Sequence, residues 1–240
     1  MAIPEFAGFP EQGFRFLRQL KKNNDRDWFR ERKADYIKYV EDPMKQLVMA
    51  VGESCRERGL PLHAKEKQPV FRVYRDIRFS KDKSPYKTHV GAELRRSFTD
   101  SECLLYIHIS PEECFTAAGL WQTSKGLLQV LRTAMVRDPQ RFEKVLSALK
   151  RAKLALSENY ALSGMPRGLQ QYTDEPIGRW LKLTSFIVQR PLSVKDCPSA
   201  RLVETIVDFA LTAKPLFEFV WEIETEFAES GRKRLEATLA

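Results

Sequence analysis

Basic residues crowd one stretch of this chain. Lys65, Lys67, Arg72, Arg75, Arg78, Lys81, Lys83, Lys87, Arg95 and Arg96 fall between positions 65 and 96, against Glu66, Asp76, Asp82 and Glu93. Ten cations against four carboxylates place six of the chain's eight net positive charges in that window. A local excess makes an electrostatic footprint for an anion, whereas a spread one only favours solubility. The window centres on Phe71-Arg-Val-Tyr-Arg-Asp-Ile-Arg-Phe-Ser80 and continues as Lys81-Asp-Lys-Ser-Pro-Tyr-Lys87. A guanidinium presents a planar fork of donors that matches phosphate or carboxylate. We therefore expect Arg72, Arg75, Arg78, Lys81, Lys83 and Lys87 to converge on such a group. Asp76 would aim a guanidinium through a bidentate pair, and Tyr86 or Tyr74 would stack or hydrogen-bond.

Two other roles fit the same residues. Strand alternation would set Phe71, Val73, Ile77 and Phe79 on one face with Arg75 among them, and Arg72, Tyr74, Asp76 and Arg78 on the other. A charge on an apolar face requires a partner or a break in the strand, so a bulge or turn is expected near Arg75-Asp76. In a structural role the arginines would form an ion-pair network tethering a long loop, beside a basic edge strand that discourages aggregation. In an enzyme they would stabilise developing negative charge while Asp76, Glu93 or His89 moves protons. Asp76, Asp82 and Glu93 could also hold Mg²⁺ beside a phosphate, although salt bridging is the simpler expectation for both aspartates. His89, Glu93 and His108 form a possible metal set if strand register brings them together, and separate hydrogen-bonded residues otherwise. No metal and no particular cofactor is called for by these residues. The P-loop, G-x-G-x-x-G, G-x-S-x-G and H-E-x-x-H patterns are absent, which removes support for standard nucleotide hydrolysis, serine hydrolysis and zincin chemistry.

The run Arg72-x-x-Arg75-Asp76-x-Arg78-Phe79-x-x-Asp82-Lys83-x-Pro85-Tyr86-Lys87 resembles the signature of a widespread family of uncharacterised bacterial proteins with fungal relatives, a domain of unknown function. Phe16-Leu17, Asn23-Asn24, Trp28-Phe29, Gly119-Leu-Trp121 and Pro166-Arg-Gly168 resemble further landmarks of that family. The chain departs from the pattern around Met165 and Gln170-Gln171. The resemblance implies one domain of about this size and no assigned activity.

The elements that must carry the basic stretch follow from hydrophobic period. Phe14, Leu17 and Leu20 predict a helix ending at Asn23-Asn24, and Asn24 or Asp25 would cap a second one bearing Trp28, Phe29 and Tyr36. Asp42-Pro43 reads as an N-cap with proline at the first helical position, opening a helix with Met44, Leu47, Val48 and Val51 inward. The period then changes. Val90, Ala92 and Leu94, and Leu105, Ile107 and Ile109, alternate with polar or opposite-face residues, which predicts strands. Residues 110–113 suit a hairpin turn into a strand at 114–118, and 71–74 would open the same antiparallel sheet. Ser124 and Asp138-Pro139 start two more helices, 181–189 adds a strand, Ser199 caps a helix to about Ala213, and Pro215 begins a last one ending near Gly231. His63 reads as a loop residue.

The expected class is α+β: an antiparallel sheet in the middle of the chain with helices from both ends packed on it. Its 240 residues, 43% hydrophobic and 30% charged, are read as a single domain, 1–240, although two subdomains fit the length. Its parts are helical 10–58, strands and motif loop 69–121, and mainly helical 124–232. This composition excludes disordered, collagenous and disulfide-scaffold classes. Cys55, Cys103, Cys114 and Cys197 form no C-x-x-C pair and read as buried reduced thiols. With no signal-like start and no apolar run of roughly 18–20 residues, the expectation is a cytoplasmic chain with no membrane partner. The partner expected is an anionic small molecule or phosphate group, with nucleic acid as a further candidate.

Overall fold

The computed structural model describes residues 5–99 and 101–239, with side chains as far as Glu229. Five strands, β1 (His63–Ala64), β2 (Val90–Arg95), β3 (Cys103–Ile109), β4 (Cys114–Leu120) and β5 (Phe186–Leu192), pair in sequence order. They form an antiparallel sheet in the middle of the chain, with helices before and after it, an α+β fold. The helices are α1 (Glu11–Lys22), α2 (Arg26–Glu31), α3 (Lys33–Tyr36), α4 (Asp42–Glu57), α5 (Lys125–Arg137), α6 (Pro139–Arg151), α7 (Gly178–Leu181), α8 (Arg201–Thr212) and α9 (Lys214–Leu239). Among the described residues no helix is long and apolar enough to cross a membrane. All four cysteines are buried and free.

The chain divides into two compact units, the first comprising Met1–Leu94, Leu105–Thr116 and Arg190–Leu211. Its helical core is the stripe read from the sequence, with Phe14, Leu17 and Leu20 of α1 and Met44, Leu47, Val48 and Val51 of α4 all fully buried. Asp25 caps α2, its carboxylate accepting from the N–H groups of Asp27 and Trp28. Asp42 is not an N-cap, because a π-helical turn, Ile37–Glu41, joins α3 directly to α4. Pro43 has no N–H to give the carbonyl four residues back, and widening the turn relieves both the missing bond and the ring's clash. In the sheet, Leu105, Ile107 and Ile109 turn inward at zero exposure, so Tyr106 and His108 occupy the other face of β3.

The second unit comprises Arg95–Leu104, Ala117–Gln189 and Thr212–Ala240. Ser124 caps α5 and Asp138 caps α6, with Pro139 at its first position, as read. Phe142 of α6 is ringed by Trp180, Phe186 and Phe219. Residues 181–185 are not strand. Leu183 makes only an isolated antiparallel bridge with Ala161, the buried Arg132 of α5 donates to the carbonyls of Leu181 (2.8 Å) and Leu183 (3.1 Å), and β5 starts only at Phe186. Gly119 has φ +124°, and a Cβ there would lie 2.0 Å from the Phe186 carbonyl oxygen, so this position admits only glycine. α9 continues through Gly231, since one helical glycine costs about 1 kcal/mol relative to alanine and does not by itself end a helix.

Candidate functional site: a basic hairpin beside the sheet

Residues 70–92 fold back on themselves as an irregular hairpin rather than as a strand from 71 to 74. Val70 pairs with Ala92 and Tyr74 with Tyr86. Three ladder bonds run from Phe71 N–H to the Gly91 carbonyl, from Lys87 to Val73 and from Arg75 to Pro85, at 2.9, 2.8 and 2.9 Å. The register slips by two residues between these pairs, so Thr88 and His89 bulge from the returning arm. The alternation expected from the sequence is not kept along the first arm. Val73 turns inward, while Phe71, on what alternation made the same face, is 40% exposed and Phe79 is 96% exposed.

The hairpin is held at its base by residues from the start of the chain. Asn24 accepts from the Tyr86 N–H and donates to the Tyr86 carbonyl, both at 3.0 Å, as a neighbouring strand would. The Tyr86 ring is buried and stacks on Phe29 at 4.1 Å between centroids. Asn24, Phe29 and Pro85-Tyr86, far apart in sequence, thus close one joint. Asn24→Ala removes both backbone partners and is expected to destabilise by about 1–3 kcal/mol, measured by denaturant unfolding.

Beyond Arg75 the ladder ends, where the sequence called for a break. Arg75 is paired with Asp82, whose Oδ1 also accepts from the Ser84 N–H (2.9 Å) and hydroxyl (2.6 Å). Ser84 and Arg75 hold the Asp82 carboxyl well below the usual carboxylate range. Asp76 aims Arg78 and not Arg75, accepting from its Nε at 3.0 Å and Nη2 at 2.7 Å, so its own pKa falls to about 2 through the bonds from Arg78. Lys83 donates to the Ile77 carbonyl at 3.0 Å. Lys87 donates to the Arg72 carbonyl at 3.1 Å and lies over the Phe71 ring. Among the described residues the side chains of Arg72 and Lys81 make no hydrogen bond or ion pair, and both residues are exposed.

Arg72 lines an open groove of about 260 Å³ in the first unit, together with Lys33, Lys45 and Lys67. Lys45 is matched by Glu41 at 2.6 Å and Asp42 at 3.2 Å, whereas Lys33, Lys67 and Arg72 have no ion pair among the described residues. The groove's apolar wall includes Phe29, Phe71, Val73 and Tyr74. Burial, and after it the Arg72 charge, depress the Lys87 ammonium below its usual value.

The other side of the hairpin meets the outward face of β3. His89, on the bulge, lies 4.4 Å ring to ring from His108, which stacks at 4.7 Å on Phe115 and takes a 3.0 Å hydrogen bond with the Tyr106 hydroxyl. A Cβ on Gly91 would sit 2.6 Å from that hydroxyl, so glycine lets Tyr106 cross β2. Burial pushes both histidines down to about 4 and Tyr106 up to about 12. His89 and His108 thus come together as a tilted ring pair, and among the described residues no three such donors are grouped to hold a metal ion. Glu93 does not complete a metal set with them.

Sequence reasoning located the hairpin but not its surroundings. Lys33 carried no distinguishing signal, because it sits in an ordinary charged stretch far from Arg72 in sequence, whereas Lys67 lies in the basic window but was not singled out within it. Tyr106 was legible only as an alternate strand position.

An α+β protein with a basic, aromatic-flanked hairpin anchored beside its sheet is what these elements define. The chain belongs to the conserved hypothetical protein family DUF2461, whose profile matches residues 12–219. No curated protein and no solved structure matches the chain.

Proposed function

We propose that this protein binds a phosphorylated or otherwise anionic ligand through the hairpin and the groove beside it. The observation that carries this reading is the convergence of Lys33, Lys67 and Arg72, none ion-paired among the described residues, on one open groove. Fixed donors next to unscreened charge are what phosphate recognition requires. Arg75 and Arg78 contribute as oriented groups: the Asp82 contact engages only Nη1 of Arg75, and the Asp76 fork leaves Nη1 of Arg78 open. Tyr86 serves by positioning the hairpin from its base, and Lys81, Lys83 and Lys87 raise the local potential.

A second reading has its own observation. The pairs Arg75–Asp82 and Arg78–Asp76 are the internal network a purely structural, interaction-protein role demands. An enzyme acting on the anionic ligand would draw instead on Tyr106, His108 and His89, the last of which feels the Lys87 charge.

Calorimetric titration with pyrophosphate at low salt separates binding from structure. Arg72→Ala and Lys67→Ala, both at exposed positions, are expected to fold as the parent and to lose about tenfold or more in affinity each. Parental affinity in both folded variants would remove the basis of the anion-binding reading and leave the structural one.

A further inference from the structure

We infer that the anion is a single-stranded nucleic acid, its backbone lying in the Lys33, Lys67 and Arg72 groove and its bases stacking on exposed rings of the hairpin. This rests on the anion-binding reading and assigns the ligand class. The motivating feature is a set of aromatic side chains facing solvent where a folded chain would bury them. Phe79 is 96% exposed at the hairpin tip, Tyr74 is 54% exposed and Phe71 40%. Phe71 and Tyr74 line the same groove as the three cations, and Phe79 follows in the same arm beside the Arg78 guanidinium.

Rings alternating with cations along a channel are the physical recipe for sequence-tolerant single-strand binding, because every base has a π-face and every nucleotide a phosphate. The groove's shape agrees. At about 260 Å³ it is smaller than the roughly 300–1,000 Å³ of pockets that engulf a small molecule, and it is open, which suits a polymer passing through. A duplex hides its base faces and would leave the rings without partners. An anionic bilayer is a poorer fit. It is flat where the groove is concave, and at the tip only Ile77 and Phe79 are apolar among Arg78, Lys81, Asp82 and Lys83.

The test is fluorescence anisotropy of a labelled 20-mer oligothymidylate over a range of salt, run beside pyrophosphate calorimetry on the same full-length preparations. Three groove cations predict that the logarithm of affinity falls with the logarithm of salt at a slope of about −2, and Arg72→Ala reduces that slope by about 0.7. Phe79→Ala, which removes a ring with almost no packing, weakens the oligonucleotide roughly 5- to 100-fold without moving pyrophosphate affinity. Salt-independent oligonucleotide binding, or unchanged affinity in Phe79→Ala with pyrophosphate binding still sensitive to Arg72→Ala, overturns the nucleic-acid assignment and leaves the anion site standing. Insensitivity of both probes to Arg72→Ala overturns both readings. Loss of binding to phosphatidylserine vesicles in Phe79→Ala, with oligonucleotide binding intact, assigns the tip to membranes and overturns the inference.

Discussion

Tyr86→Ala lowers the unfolding free energy by about 3–5 kcal/mol, the range for truncating a large buried aromatic, whereas Tyr86→Phe stays within about 0.5 kcal/mol of the parent. The ring is 5% exposed, stacked on Phe29 and edged by Tyr74 at 5.5 Å, so truncation opens a cavity at the joint between α2 and the hairpin. The hydroxyl makes no hydrogen bond among the described residues, and Asn24 grips only the Tyr86 backbone, so its loss is nearly silent. Urea denaturation followed by circular dichroism measures the difference. A Tyr86→Phe variant that keeps full stability but loses pyrophosphate affinity would instead place the hydroxyl on the ligand.

Between pH 6.5 and 4 the protein loses stability on the order of 2 kcal/mol, discounted for the partial exposure of the groups responsible. His89 and His108 are held at about 4 in the folded state, below the ordinary 6.5, mainly by burial and for His89 also by its neighbour's charge. In that interval the unfolded chain binds protons that the folded chain refuses, so stability is present above 6.5 and falls as pH drops toward 4. Asp76 acts in a lower window. Its folded pKa of about 2 lies under the ordinary 3.8, and its contribution disappears only as pH falls through that interval. The paired substitution of His89 and His108 by phenylalanine, which keeps rings against Phe115, should flatten the unfolding midpoint between pH 7 and 4.5. An equally steep profile in that variant would assign the loss to other groups.

The fold was readable where one local signal decides an element. Asp25, Ser124 and Asp138-Pro139 each cap the helix they precede, and Leu105, Ile107 and Ile109 lie on one fully buried face of β3 as their alternation predicts. It was unreadable where two demands compete at one residue. Pro43 looked like a helix start but sits inside a continuous helix, because the preceding π turn absorbs its missing donor. His63 pairs as β1, although a two-residue strand has no period to display. The candidate site follows the same division. Charge clustering located the hairpin, and the need to partner Arg75 announced the break in its ladder. That Asp82 takes Arg75 while Asp76 takes Arg78 depends on the loop's return path, which spacing does not encode. The two-residue slip at Thr88 and His89 likewise leaves no mark in composition, yet it sets His89 on His108.

Backbone amide resonances read the central claim most directly. In ¹H–¹⁵N spectra of the uniformly labelled protein titrated with pyrophosphate, binding at the groove moves the amides of Lys33, Lys67, Arg72, Tyr74 and Lys87 together, saturably, and Arg72→Ala suppresses the shifts. Saturable shifts confined to other parts of the chain, or a spectrum unchanged at millimolar pyrophosphate, would contradict an anion site on this hairpin.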